Sequence, residues 1–197
     1  MTVTQSDRAL ATRFLDVIEH DIVPLTRAGV ERGDKVFGGA VLRKSDLSLV
    51  IAGTNRETEN PLFHGEIATL NAFFAVTDPA RPAPGDCLFL STHEPCSLCL
   101  SAITWAGFDN FHYLFGYVDT RDAFNIPHDL KILSEVFRIE NGDYARENAF
   151  WQSRSIDDLI GGESDDLKRR IERLRSLYDA LSSVYQESKT GSDIPLS

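Results

Sequence analysis

Two short stretches hold the residues best suited to chemistry: HGEIATL, with His64 and Glu66, and, some thirty residues on, EPCSLCL, with Cys96 and Cys99. A Cys-x-x-Cys at a helix start puts both sulfurs on one side of the first turn. The helix N-terminus there favours thiolate, which is the form that ligates metal. Two thiolates and one imidazole supply three ligands for zinc, and a catalytic zinc keeps its fourth position for water. If His64 ligates from the start of its own helix, Glu66 on the same turn reaches that water. A fourth protein ligand would close the site, whereas a free carboxylate can move protons, as a hydrolytic reaction requires.

The elements around these stretches read as follows. Residues 6–23 have the period of an amphipathic helix, with Leu10, Phe14, Val17, Ile18 and Ile22 on one stripe and Pro24 bending or ending it. The segment FGGAVLRKSDLSLVIAG predicts a hairpin with strands near 37–43 and 47–53. A helix starts at His64 and buries Ile67, Leu70, Phe74 and Phe73. The Pro- and Gly-rich stretch 79–86 is a loop, CLFLS a central strand, and CSLCLSAITWAG a helix with Pro95 at its first turn. FHYLFGYV is a fourth strand, and EVFRI (135–139) is the candidate for a fifth. Strands alternating with helices from residue 37 onward predict an α/β sandwich.

Gly161-Gly162 divide the chain into 1–160, which carries the chemistry, and a C-terminal helical extension with its tail, 161–197. In the extension Leu167, Ile171, Leu174, Tyr178, Leu181 and Tyr185 form a narrow heptad stripe. It either docks on the chain's own core or, being narrower than the face of a docked helix, seals a subunit contact. The closing SKTGSDIPLS has the composition of a disordered tail.

Composition limits the partners. The 197 residues carry 30 acids against 20 bases, a net charge of −10, which argues against a nucleic-acid backbone as the main partner. No apolar run approaches a membrane span and the N-terminus lacks a signal-peptide pattern, so the expectation is a cytoplasmic protein that does not enter membranes. Three cysteines without an export signal argue for metal or redox chemistry rather than a disulfide framework.

Taken together, His-x-Glu and Pro-Cys-x-x-Cys on helix, strand, helix resemble the signature of zinc-dependent nucleobase deaminases, the cytidine deaminase-like superfamily. The resemblance covers about residues 35–120 and more loosely reaches 155. EPCSLCLSAITWAG and NPLFHGE are similar to the guanine deaminase pattern, with Gly107 in place of its Arg and Asn60 in place of its Asp. HGE itself is closer to cytosine deaminases. The resemblance implies a three-layer α/β/α sandwich around a mixed five-stranded sheet, here with an added C-terminal helix, and a homodimer or higher homo-oligomer. It also implies Zn2+ on His64, Cys96 and Cys99, and Glu66 as the proton carrier. The reaction it implies is attack of water on a small nucleobase with release of ammonia. Guanine or a related aminopurine is favoured over cytosine or a nucleoside, a tRNA adenosine substrate fits the acidic charge poorly, and a non-catalytic zinc-stabilised scaffold is the alternative that the intact Glu66 argues against.

Asn55, in GTN, matches the family's base-contacting Asn, and Asp119 stands where guanine deaminases carry a second proton-shuttling acid, with Asp122 an equal contender. Trp105 is a candidate wall of the base slot, as are Phe63, Phe108, Phe150 and Trp151, although core packing explains any of these aromatics as well. Cys87 reads as a small core residue. His93 could line the pocket or simply sit in a polar loop, and His20, His112 and His128 read as structural. Lys168–Arg170 read as a solvated helix face.

Overall fold

A computed structural model describes residues 5–77, 81–123, 126–161, 165–189 and 194–196. Gly162, the first part of the 79–86 loop and half of the terminal tail lie outside the described residues. The chain begins with α1 (Gln5–Val17), which runs through a π-helical turn (Ile18–Ile22) into α2 (Val23–Glu31). Pro24 therefore does not end the helix. It sits in the first turn of α2, where its missing N–H costs no helical bond, and the wide turn before it absorbs its ring, with the Val23 N–H bonding back to the Ile18 carbonyl.

Then follow β1 (Gly38–Arg43), β2 (Leu49–Thr54), α3 (Gly65–Ala75), β3 (Cys87–His93), α4 (Ser97–Trp105) and β4 (Asn110–Phe115). The last elements are α5 (Tyr117–Asp122), α6 (His128–Phe137), β5 (Gln152–Ser155), α7 (Ile156–Ile160) and α8 (Asp165–Ser188). The sheet has five strands in the order β2-β1-β3-β4-β5. β1 is antiparallel to β2 and β3, while β3, β4 and β5 are parallel, which makes the sheet mixed. Side chains alternate between its faces. Ala40, Leu42, Leu90 and Leu114 join α1, α2, α7 and α8 on one side, and Val41, Cys87, Phe89, Phe111 and Tyr113 join α3, α4 and α6 on the other. This is the expected three-layer sandwich, and Cys87 is core as expected. In α3 the buried ring is Phe73, while Phe74 is 44% exposed.

One expectation is corrected, and the choice between the two readings of the C-terminal stripe is decided. Residues 135–139 form no strand: the end of α6 continues to Phe137 and stops at Arg138, which takes a left-handed conformation (φ 60°). The fifth strand is the polar Gln152–Ser155, held by parallel pairing to β4 from Asn110↔Gln152 to Tyr113↔Ser155. A four-residue edge strand defined by backbone pairing leaves no apolar run to read. For α8 the reading that holds is docking on the chain's own core. Leu167, Ile171, Leu174, Tyr178 and Tyr185 are at most 6% exposed within the single chain and belong to the core under α1, α2 and the sheet. The stripe is therefore used internally and cannot form a subunit seam. Leu177 and Leu181 are partly buried and pack against the same core. The tail also departs from expectation. Ile194 is 7% exposed, and the Leu196 carbonyl accepts a hydrogen bond from Lys35 Nζ at 2.7 Å. Among the described residues no helix is long and apolar enough to cross a membrane.

Candidate metal centre and substrate cavity

The start of α3 and the start of α4 meet at the carboxyl end of β3. His64 is the residue before α3 and Cys96 the residue before α4, with Cys99 one turn in. Their ligand atoms all lie within 4.8 Å of one another. Cys96 Sγ is 3.4 Å from His64 Nδ1 and 3.6 Å from Cys99 Sγ, and Cys99 Sγ is 3.7 Å from His64 Nδ1. A tetrahedral zinc with ordinary bond lengths needs about 3.8 Å between two sulfurs and about 3.6 Å between sulfur and nitrogen. The three residues therefore fit zinc without rearrangement, and Zn2+ is the cofactor this donor set holds.

The electrostatics agree. The Cys99 thiol, together with the His64 ring, holds Cys96 well below the usual thiol range against the effect of burial. Burial opposes charging His64, but the Cys96 thiolate outweighs it, with Glu57 and Glu66 behind, and the ring is pushed up to about 9. This proton is what a metal displaces on binding.

Glu66 is 4% exposed. Its Oε1 accepts from Ser91 Oγ at 2.7 Å, and its Oε2 lies 3.2 Å from Cys99 Sγ. Burial, reinforced by the Cys96 thiolate, raises its carboxyl. One oxygen is thus fixed and the other faces the metal position, the arrangement of a carboxylate that can hold and pass a proton. Behind the Cys96 loop, buried Glu94 accepts from Tyr144 Oη at 2.8 Å, Arg146 at 2.7 Å and the Tyr117 N–H at 3.1 Å. Tyr117 Oη donates to the Pro95 carbonyl at 2.6 Å.

A cavity of about 310 Å³ opens beside His64 and Cys96. Its walls include Lys35, Phe37, Glu57, Leu98, Ile126, His128 and Asp129, and the tail residues Ile194–Leu196 cover it. The sequence reading missed most of these. His128, read as structural, is on the wall. Asp129 faces the metal group with no hydrogen-bond donor among the described residues, and burial, with the Cys96 thiolate and Glu66 opposite, raises its carboxyl well above the usual range. An acid in a helical first turn carries no sequence signal of this kind.

The remaining candidates lie elsewhere. Asn55 is fully buried behind Glu57: its Oδ1 accepts from the Lys35 and Glu57 N–H groups at 3.2 and 3.0 Å, and its Nδ2 donates to Glu57 Oε2 at 2.6 Å. Asp119 caps α5 through the Gly116 N–H and pairs with Arg175, while Asp122 is exposed and pairs with Arg121. Neither acid borders the cavity. Trp105 is 91% exposed at the end of α4 and Phe150 69% exposed, so neither forms its wall. Phe108 packs on Phe73 and Phe89, Trp151 donates to Thr104, and Phe63 stacks under Arg56. His93 is buried among Phe37, Phe115 and Tyr178, and His112 is buried against Phe14.

Residues 23–115 match the family described as the cytidine and deoxycytidylate deaminase zinc-binding region. No curated protein sequence matches the chain. Among solved structures, it is similar to a guanine deaminase from Nitrosomonas europaea, with 20% identity, 84% of this chain and 81% of that one covered, and a TM-score of 0.51. It is also similar to a mutant of the protein NE0047 in complex with 8-azaguanine, with 19% identity, 84% and 80% covered, and a TM-score of 0.52. At this identity the likeness establishes the shared fold. The matched region contains all three ligands and Glu66 at the geometry described, and residues 23–115 carry the cytidine and deoxycytidylate deaminase zinc-binding region.

Proposed function

We propose that the chain hydrolyses the exocyclic amine of a free nucleobase, guanine or a related aminopurine, to a carbonyl with release of ammonia. The observation that carries this reading is the makeup of the cavity beside the metal group. Its one lysine or arginine among the described lining residues is Lys35, already paired with Glu57 at 3.0 Å, so no free cation is offered to a phosphate. This supports a base over a nucleotide or an RNA. Asp129 instead presents an acceptor to N–H groups on a base edge, with Phe37 as an apolar wall of the same cavity.

Two residues that weaken the guanine match have structural reasons. A Cβ on Gly65 would lie 2.6 Å from the Phe37 carbonyl oxygen, so HGE rather than HAE follows from the close approach of α3 to β1. Gly107 ends α4 with φ +83°, a left-handed conformation that favours glycine, on the surface away from the cavity. The shared fold with a guanine deaminase points the same way.

In this reading zinc supplies the Lewis acidity that makes a water nucleophilic near neutral pH. Glu66 Oε2, with Oε1 held by Ser91, takes the proton from the attacking water and delivers it to a ring nitrogen. It then carries the remaining proton of the added hydroxyl to the amine nitrogen, and as the carbonyl forms the carbon–nitrogen bond breaks and ammonia leaves. Asn55 acts from behind by holding Glu57, and Asp129 reads the base edge. Cys96 and Cys99 ligate only when reduced, which is compatible with activity in a reducing compartment such as the cytoplasm. We also infer self-association into a dimer or larger assembly, which would cover some of the exposed apolar side chains, Trp105 and Phe74 among them.

Ammonia release from a panel of bases and nucleosides, with and without chelator, tests the proposal. Guanine or an aminopurine should have the highest kcat/KM, and chelation should abolish turnover. A kcat/KM for cytosine on the order of tenfold above that for guanine, a factor worth about 1.4 kcal/mol in transition-state binding, reverses the assignment.

A further inference from the structure

We propose that Glu57, neutralised by Lys35, is a positioning residue that holds the His64 ring in the tautomer and orientation that ligate zinc. Nδ1 is the His64 atom that faces the two sulfurs, at 3.4 and 3.7 Å. For Nδ1 to offer its lone pair, the ring proton must sit on Nε2. That atom faces Glu57 Oε1 at 3.7 Å, within ion-pair reach and a small rotation short of a hydrogen bond. A metal-ligating histidine commonly donates its second N–H to a carboxylate, which fixes the ring and raises its basicity.

The surroundings of Glu57 hold that carboxylate in place. Its side chain is 3% exposed, and that of Lys35 is 6% exposed. Lys35 Nζ reaches Oε1 at 3.0 Å, and Asn55 Nδ2 donates to Oε2 at 2.6 Å. Asn55 is in turn fixed by the N–H groups of Lys35 and Glu57, so the three residues lock one another. The second partner of Lys35 is the Leu196 carbonyl at 2.7 Å, which ties the covering tail to the same group. Burying a Lys–Glu pair yields little net stability, because desolvation offsets most of the attraction. Stability alone therefore does not account for a pair placed beside a metal-ligand ring, whereas orientation of that ring does. Oε1 has two lone pairs, one for Lys35 and one for His64.

The test uses the whole protein and no substrate, so it stands apart from the choice of base. Replacing the pair together, Lys35→Met with Glu57→Leu, removes both charges at similar volume and leaves neither unpaired. Zinc affinity, measured by chelator competition, should fall about 10–100-fold, and the absorption bands of the cobalt-substituted protein should shift. Glu57→Gln, whose amide oxygen still accepts from Nε2–H, should retain most of the affinity and the wild-type bands. Unchanged affinity and unchanged cobalt bands in the double variant overturn the proposal. If that variant does not fold, nitrogen-15 NMR of the zinc-loaded wild type decides. The His64 Nε2–H should be protected from exchange by its acceptor, and rapid exchange with solvent overturns the assignment.

Discussion

Replacing Gly65 by alanine tests whether the residue between His64 and Glu66 is set by packing or by substrate. The new Cβ would meet the Phe37 carbonyl oxygen at 2.6 Å, the Phe37 carbonyl carbon at 2.7 Å and the Gly38 nitrogen at 2.8 Å. All three are backbone atoms at the start of β1, so no side-chain rotation relieves the overlap, and the first turn of α3 must move away from the sheet. Overpacking of this kind costs about 1–3 kcal/mol, and three simultaneous backbone contacts put it at the upper end. Alanine recovers roughly 0.5–1 kcal/mol through its lower entropy loss in a helix. A net loss of about 2 kcal/mol remains, a fall in Tm of roughly 4–8 °C for a domain of this size. Because the displaced turn carries His64 and Glu66, kcat should fall as well, whereas the ratio of kcat/KM for guanine over cytosine should not change. Thermal unfolding of the zinc-loaded variant and two-substrate kinetics measure both. An unchanged Tm would falsify the packing argument, and a large swing in the ratio in a stable variant would make Gly65 a specificity residue.

Glu66→Gln should keep a full complement of zinc while turnover falls by at least ~10²-fold, whereas Cys96→Ala should lose most of the metal. Metal analysis beside kinetics separates the two roles, and loss of zinc from Glu66→Gln would remove the proton-carrier assignment. Tyr178 is fully buried, so Tyr178→Ala should cost about 3–5 kcal/mol in denaturant unfolding yet leave the oligomeric state alone; a change in assembly without loss of stability would return α8 to a subunit contact. Burial lowers His93 to about 3 and His112 to about 4, so both rings stay neutral in the fold while they charge in the unfolded chain below pH 6.5. Stability is therefore full above that pH and falls as the solution is acidified toward 4, each ring adding up to about 1.4 kcal/mol per pH unit. Urea unfolding across that range checks the slope, and His112→Phe should flatten it. An equal slope in that variant refutes the assignment.

The metal group was legible in the sequence because each of its parts depends on short-range geometry. Cys96 and Cys99 share one helical turn, His64 and Glu66 share another, and the strand Cys87–His93 between them carries a continuous apolar run. The layered sandwich followed from the same periodicities, since a strand alternating faces and a helix with one apolar stripe fix where the core lies. The cavity is another matter. Lys35, Glu57, Asp129 and Ile194 come from separate parts of the chain, and each is by itself an ordinary acid, base or aliphatic residue. What gives them a role is the folding of α6 and the tail over the start of α3, a set of contacts between residues far apart in sequence. Trp105 shows the converse. Its motif matched, but the side a residue faces at the last turn of a helix is set by what packs there, and among the described residues nothing covers it. β5 was hidden for the same reason: four polar residues become a strand because β4 offers them hydrogen bonds, a partner that composition does not reveal. Spacing along the chain determined the chemistry, and packing between distant segments decided which groups a substrate meets.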